Sequence, residues 1–150
     1  MYSGALGPKQ REGDGQAPEG IYQVGGGQLN PHSSYHLSFD LGYPNAFDRA
    51  HARNGSYLMV HGSCVSIGCY AMTDAGIEDI YSLVAAALAR GQRHVQVHAL
   101  PFRFSRDWER DHAASPWLDF WRDLAAIDAR FEADRVPPKV RVARKRYVLR

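Results

Sequence analysis

Three residues that could do chemistry lie close together in the stretch VHGSCVSIGCYAMTD. They are His61, Cys64 and Cys69, and the chain has no other cysteine. Thiol and imidazole groups at this spacing fit a zinc site, a disulfide, or a nucleophile with its base. A zinc site normally needs a fourth ligand and cysteines separated by two to four positions, so the pattern argues against a metal. The other two interpretations stay open at this point.

A thiol nucleophile would find suitable surroundings here. A catalytic cysteine must lose its proton, and a nearby imidazole can accept that proton and later return it. Gly68 permits a tight turn, so the backbone N–H groups of Gly68, Cys69 and Tyr70 could face a developing oxyanion. His61 ends an apolar segment, and the Gly62 carbonyl is a candidate orienter of its second ring nitrogen. These residues predict Cys69 as nucleophile and His61 as base.

Strand and helix patterns flank this cluster. Apolar alternation or short apolar runs predict strands, and helical spacing predicts two main helices. The strands are expected within 19–24, 35–41, 57–61, 94–99 and 139–150, and the helices over 77–90 and 115–135. Gly91 should end the first helix and Ser115 should cap the second. Strands outnumber helices without regular interleaving, which predicts one α+β domain with a mixed or antiparallel sheet.

Some positions receive more specific expectations from the same patterns. Tyr35 should lie on the buried face of its strand, and His94 and His98 should lie on a solvent-side face. Residues 42–56 form a polar loop in this interpretation, and residues 1–20 form an irregular lead-in rich in Gly, Pro and charge. Trp117 and Trp121 recur at helical spacing, which favours a place in the core over stacking on a sugar or a base.

The composition is that of a globular protein of one domain. The chain has 150 residues, of which 45% are hydrophobic and 23% charged. No apolar run approaches the roughly 20 residues of a membrane span, and the first residues show no signal peptide. The net charge of +2 hides an asymmetry, because residues 139–150 contain six basic residues and no acid. Such a tail can touch an acidic polymer, anionic lipid or nucleic acid, or simply form a solvated strand pair.

The segment MVHGSCVSIGCYAMTD resembles the active-site segment of the L,D-transpeptidase (YkuD-like) catalytic domain family, in its YafK-like branch. GALGPKQREGDGQAPEGIY, SFDLGYPNAFDRAHARNGSYLMVHG and PFRF also match that branch, so the resemblance covers most of residues 4–104. It implies a single β-rich α+β domain over 1–150 with a mixed sheet of this catalytic type. Family members usually carry strands ahead of this region, so the chain is expected to be N-terminally truncated and to lack them.

The resemblance also implies the roles of the motif residues. Cys69 of Ser66-Ile67-Gly68-Cys69 corresponds to the family's nucleophile, with Ser66 in support, and His61 corresponds to its base. The common pattern has His at position 67 and an arginine soon after the cysteine, so Ile67 alters the rim of the pocket. Asn45, Arg49 and Arg53 are candidates for binding stem-peptide carboxylates. Arg49 has a surface pair with a neighbouring acid as its alternative.

The implied reaction is L,D-transpeptidation on peptidoglycan stem peptides through a thioester. The alternatives are an amidase that cleaves the diaminopimelate–lipoprotein linkage, with an outer-membrane lipoprotein as partner, and a non-catalytic peptidoglycan-binding module with oxidised cysteines. A small nucleic-acid binder that uses the basic tail is the alternative outside the resemblance. The favoured interpretation expects a periplasmic enzyme with no cofactor, no metal, no nucleic-acid partner and no membrane insertion.

Overall fold

The architecture is α+β, as the sequence predicts. The computed structural model describes residues 5–64 and 66–150, so residues 1–4 of the expected lead-in and Val65 lie outside the described part. Strands and helices are mixed along the described chain, with eight strands and four α-helices. In order they are β1 (Gly20–Val24), β2 (Leu29–Ser33), β3 (His36–Asp40), α1 (Ala46–Ala50), β4 (Met59–His61), β5 (Tyr70–Ala71), α2 (Asp74–Ala89), β6 (Val95–Ala99), α3 (Trp108–Asp111), α4 (Leu118–Asp134), β7 (Val140–Ala143) and β8 (Arg146–Leu149).

The described strands form three sets. β1 pairs with β6 antiparallel, and β7 pairs with β8 as a C-terminal hairpin. The four-stranded sheet has the order β2-β3-β4-β5, in which β4 and β5 run parallel and the other pairs antiparallel. This sheet is therefore mixed, and it is the one that carries the His61 and Cys69 segment.

Two apolar clusters hold these elements together, one around each main helix. On α2, Ile77 and Val84 are buried against Phe39 and Val60 of the four-stranded sheet. On α4, Trp121, Leu124 and Ile127 are buried together with Phe47, Tyr147 and the apolar side of the hairpin. Burial of an apolar side chain stabilises the fold by about 1.5–3 kcal/mol. The prediction that Trp121 belongs to the core is confirmed.

The lead-in has no helix or strand between residues 5 and 19, yet it packs tightly onto the domain. Glu19 is its main anchor. Its carboxylate accepts hydrogen bonds from Gly7 N at 2.9 Å and from Trp121 Nε1 at 2.8 Å. Burial raises the pKa of Glu19, although both hydrogen bonds and the charge of Arg53 oppose that rise. One carboxylate therefore ties the lead-in to α4.

Several local predictions were wrong or incomplete. The loop 42–56 contains helix α1, which Asn45 caps, and β2 was not predicted at all. Helix α4 begins at Leu118 after an N-cap at Trp117, because the hydroxyl of Ser115 accepts a hydrogen bond from Trp117 N in a turn before the helix. His98 does not face solvent, since its ring lies 5.3 Å from the ring of Phe131, and burial lowers its pKa.

The C-terminal end of α2 agrees with the sequence, whereas the helix begins at Asp74, three residues before the predicted range of 77–90. The hydroxyl of Thr73 accepts a hydrogen bond from Gly76 N at 3.2 Å and caps the start of the helix. Gly91 follows the last turn with φ +95°, a conformation that favours glycine. Within the described part of the chain, no helix combines the length and the apolar character that crossing a bilayer requires.

Candidate active site

His61 and Cys69 meet because β4 and β5 run side by side in the same direction. Val60 pairs with Tyr70 and His61 with Ala71. One further step back along this register places Cys69 beside Met59, and Met59 N donates a hydrogen bond to Cys69 Sγ at 3.5 Å. Met59 and His61 lie two residues apart on one strand and therefore share a face. The thiol and the imidazole consequently line the same groove.

This groove has a volume of about 360 Å³ and opens to solvent. Its rim is apolar, because it is formed by Tyr35, Tyr57 and Ile67. These residues are 52, 82 and 84% exposed, respectively. Isolated exposed apolar residues are common on proteins, but a set around one opening indicates a binding site. The complete lining is Ser33, Tyr35, Ser38, Tyr57, Met59, His61, Ser66, Ile67 and Cys69.

Sequence reasoning missed the two tyrosines of this rim. The expectation that Tyr35 is buried was wrong, because the residue precedes β3 and half of its side chain is exposed. Tyr57 adopts φ +53°, a left-handed conformation outside any strand period. A strand pattern cannot report the direction of side chains that lie just outside the strand. The only indication of an apolar rim in the sequence was the apolar character of the residues around the motif.

His61 is held in one orientation. Its side chain is almost fully buried, and Nδ1 lies 2.5 Å from the Gly62 carbonyl oxygen. A carbonyl can only accept, so Nδ1 carries the hydrogen and Nε2 keeps a free lone pair in the neutral ring. The ring of Tyr35 lies 4.9 Å from the imidazole and covers one side of it. The neutral imidazole can therefore take a proton at Nε2.

Cys69 is a free, half-buried thiol. Its Sγ donates to the Tyr57 carbonyl at 3.5 Å, in addition to the hydrogen bond that it accepts from Met59 N. Cys64 is also free and is exposed. The two thiols are thus not joined in this structure, and they occupy different environments. Cys64 is not among the residues that line the groove.

The turn before Cys69 is fixed by two of its residues. Ser66 Oγ donates to the Cys69 carbonyl at 2.5 Å, which closes the turn from residue 66 to residue 69. Gly68 is buried with φ +94°, and a β-carbon there would lie 2.9 Å from the Gln16 carbonyl oxygen. Only glycine fits this position without a shift of the backbone. Ser66 and Gly68 thereby set the direction from which Cys69 enters the groove.

The side chain of Tyr70 points away from the groove. Its hydroxyl donates to the Pro18 carbonyl, and burial raises the pKa of Tyr70. This contact fastens β5 to the lead-in. The sequence predicts that the backbone N–H of Tyr70, not its side chain, faces the oxyanion. The side-chain contact therefore does not test that prediction.

The three predicted substrate-binding residues lie elsewhere in the domain. Asn45 caps α1, and its Nδ2 donates to the Tyr147 hydroxyl at 2.8 Å. Arg49 is exposed and donates to the Pro44 carbonyl. Arg53 is buried, and its guanidinium forms an ion pair with Asp48 at 3.0 Å. None of these three described residues lines the groove of Cys69, and their binding of substrate stays a prediction.

No metal site emerges near the thiols. Among residues 5–64 and 66–150, no three His, Cys, Asp or Glu side chains come together as the ligands of an ion would. The described site thus presents a thiol, an imidazole with a free Nε2 and an apolar rim. This set of groups suits acyl transfer to sulfur.

Comparisons with known proteins identify the family of this chain. The family model for the L,D-transpeptidase catalytic domain, YkuD, matches residues 2–114. Two curated relatives, each named "Putative L,D-transpeptidase YafK", come from Escherichia coli K12 and Escherichia coli O157:H7. Each is 51% identical to this chain over 148 residues, which is 99% of the chain. The chain spans 60% of the length of these relatives.

Two solved structures share the fold. A mutant form of the helical cell shape determining protein Pgp2 from Campylobacter jejuni superposes with a TM-score of 0.54 at 25% identity, over 87% of this chain and 47% of that one. Another crystal structure of Pgp2 gives a TM-score of 0.51 at 19% identity, over 95% of this chain and 62% of that one. Because the family model covers most of the chain and the curated relatives match nearly all of it, this chain belongs to the L,D-transpeptidase catalytic domain (YkuD) family.

Proposed function

We propose that this chain is a cysteine-dependent acyltransferase that acts on peptidoglycan stem peptides as an L,D-transpeptidase. The observation that carries the proposal is the shared groove of Cys69 and His61, in which Nδ1 of the imidazole is bound to Gly62 O. Membership of the L,D-transpeptidase family and the names of the two relatives supply the substrate class. We assign Cys69 as the nucleophile and His61 as the general base.

Acylation begins with the transfer of a proton. The Cys69 thiol gives its proton to Nε2 of His61, and the thiolate attacks the carbonyl carbon of the diaminopimelate residue in a stem peptide. The backbone N–H groups of the turn at Gly68–Tyr70 stabilise the oxyanion of the tetrahedral intermediate. When that intermediate collapses, His61 returns the proton to the leaving amine of D-alanine. A thioester between Cys69 and the stem peptide remains.

Deacylation reverses the roles. An amine or a water molecule attacks the thioester while His61 accepts its proton, and the sulfur leaves as the thiolate that regains this proton. An amine acceptor forms a new amide, which is a cross-link or an attached lipoprotein. Water releases a shortened stem peptide. The groove opens to solvent, so the acceptor that binds there decides between these outcomes.

The surroundings of the thiol fit this proposal better than a role in binding alone. A pure binding module needs no buried imidazole with a free Nε2 beside an accessible thiol. The apolar rim of Tyr35, Tyr57 and Ile67 suits the aliphatic part of a stem peptide, since burying such groups favours binding. We place the reaction in the periplasm, because peptidoglycan lies there.

The test is whole-protein mass spectrometry after incubation with a carbapenem, whose strained amide acylates reactive cysteines, or with purified disaccharide tetrapeptide. We expect one adduct per chain under reducing conditions. Cys69→Ala should abolish the adduct, and His61→Asn should slow its formation by about 100-fold or more. Cys64→Ala is the matched control, since it removes the neighbouring thiol that lies outside the groove.

Two results would contradict the proposal. One is an adduct that survives Cys69→Ala and disappears in Cys64→Ala. The other is no adduct on the reduced wild-type chain with either acyl donor. A further arm uses muropeptide linked to a lipoprotein, from which an amidase would release a product whose mass differs from that of a transpeptidation product.

A further inference from the structure

A second groove lies apart from Cys69, between the β1–β6 pair and the C-terminal hairpin. It consists of two adjoining depressions of about 360 and 390 Å³, and both are lined by Gln23, Gln96 and Val140. We call this the basic groove. It has no lining residue in common with the groove of Cys69, so the two grooves are separate sites.

Four exposed cations line the basic groove, namely Arg49, Lys139, Arg141 and Arg150. No aspartate or glutamate belongs to its described lining, and within the described part of the chain none of these four cations takes part in an ion pair. Exposed cations without an ion pair also occur elsewhere in the described chain, for example Arg90 and Arg103, so the distinguishing feature is that four of them line one groove whose described lining contains no acid. A row of unpaired cations creates a positive potential that attracts an anion.

The hairpin explains why three of these cations lie together. Val140 pairs with Leu149 across the strands, and Arg150 N donates to Lys139 O at 2.9 Å. Lys139 and Arg150 are therefore direct neighbours, and Arg141 lies on the same face because it is two residues beyond Lys139. Half of the basic residues in the C-terminal tail are thus gathered at one groove.

We propose that the basic groove is a second binding site for peptidoglycan, which holds the free carboxylates of a strand while Cys69 acts on a stem peptide. This inference rests on the proposed function, from which it takes the identity of the ligand. Stem peptides carry several free carboxylates, and arginine binds carboxylates with two parallel hydrogen bonds. The exposed amide of Gln23 suits the neutral amide groups that lie between those carboxylates, whereas Gln92 Nε2 donates to His94 O and Gln96 Nε2 donates to Pro138 O within the groove wall.

The lining favours a carboxylate polymer over a nucleic acid. Grooves for single-stranded nucleic acid combine cations with exposed aromatic rings on which bases stack. Two aromatic rings belong to the described lining of the basic groove. Tyr147 is 7% exposed and its hydroxyl already accepts hydrogen bonds from Ile21 N and Asn45 Nδ2, whereas His94 is exposed but contributes a single imidazole. Cations interleaved with amides, without a series of exposed rings, match a peptide-bearing glycan better.

The experiment measures sedimentation of the full chain with purified insoluble peptidoglycan, in a Cys69→Ala background that prevents turnover. The test variant is Arg141→Gln with Arg150→Gln. Loss of two exposed charge-assisted contacts should weaken binding roughly tenfold and make it less sensitive to salt. The matched control, Arg110→Gln with Arg130→Gln, removes the same charge from exposed helix positions and should bind as the background does.

Two further arms identify the chemistry of the ligand. Capping the peptidoglycan carboxylates as amides should remove the difference between the test and control variants, and polyglutamate should compete for binding more strongly than oligothymidylate. Equal binding by the two double variants, an unchanged difference after capping, or competition by oligothymidylate alone would each overturn the proposal. The carbapenem adduct on Cys69 is measured separately from peptidoglycan binding. If the wild-type chain forms no adduct but the test variant sediments less with peptidoglycan than the control, the proposed reaction is refuted while peptidoglycan binding at the basic groove is supported.

Discussion

Arg53 and Asp48 form an ion pair inside the domain. Nη1 lies 3.0 Å from Oδ1, and the two side chains are 2 and 0% exposed. The guanidinium carbon also lies 5.1 Å from the ring centre of Phe47 and 5.3 Å from that of Phe120. The pair thereby joins α1 to α4, and it accounts for an arginine that the sequence predicts as a substrate-binding residue.

Removal of Arg53 should be costly for the fold. Arg53→Ala leaves the Asp48 carboxylate buried without its counter-charge, so we expect the free energy of unfolding to fall by about 3–5 kcal/mol. Urea denaturation followed by tryptophan fluorescence measures this change. Arg49→Ala is the control, because Arg49 is exposed and its loss should change stability by about 0.5 kcal/mol or less. A stable Arg53→Ala chain with weakened muropeptide binding would instead support the substrate role.

Periodic segments were predictable from the sequence, and their neighbours in space were not. Strand β6 and helix α2 follow from the alternation of apolar with polar residues and from helical spacing, respectively. Helix α1 was missed although Asn45 and Asp48 form a capping box, because five residues are too few to show a period. A polar segment with Pro and Gly, such as residues 42–56, has the composition of a loop even when it contains one turn of helix.

The candidate site divides in the same way. His61, Gly68 and Cys69 could be named from the sequence because their chemical types lie close together along the chain. Tyr57 could not be named, and the burial of Arg53, which was named, could not be foreseen, since the exposure of one and the burial of the other depend on partners distant in sequence. Nor did any pattern predict that residues 62–69 join two parallel strands, because parallel connections usually need about a dozen residues or more.

Gly68→Ala should disturb the nucleophile as well as the fold. The new β-carbon would meet Gln16 O at 2.9 Å in a backbone conformation with φ +94°, so we expect a loss of about 2–4 kcal/mol in the free energy of unfolding. A displaced Cys69 should also form its carbapenem adduct on the order of tenfold more slowly. Thermal unfolding and time-resolved mass spectrometry give the two values. Gly27→Ala is the control, as nothing lies within 4 Å of its β-carbon, and an equal effect of both changes would contradict the assigned role of Gly68.

Ser66→Ala should slow acylation more than it destabilises the chain. The lost hydrogen bond from Ser66 Oγ to Cys69 O is worth about 1 kcal/mol of stability. The turn that aims the thiol loosens, so the adduct should form roughly three- to tenfold more slowly. Ser66→Thr keeps the hydroxyl and should restore most of the rate, whereas Ser82→Ala on the exposed side of α2 should change nothing. A wild-type rate in Ser66→Ala would show that this hydrogen bond does not position Cys69.

Asp14 should make the lead-in sensitive to acid. Partial burial raises its pKa, but hydrogen bonds from Lys9 Nζ and from the backbone N–H groups of Arg11, Gln10 and Gln16 outweigh this effect and lower the pKa to about 2 from 3.8. A carboxylate whose folded pKa is depressed stabilises the fold above its unfolded pKa and loses that effect as the pH falls toward the folded value. Asp14→Asn should therefore lower the free energy of unfolding by about 1 kcal/mol above pH 5, after allowance for contact with solvent. The difference from wild type should shrink between about pH 4 and pH 2, as urea titrations at several pH values would reveal. The exposed Asp79→Asn serves as control, and a difference that stays constant down to about pH 2.5 would rule out this role for Asp14.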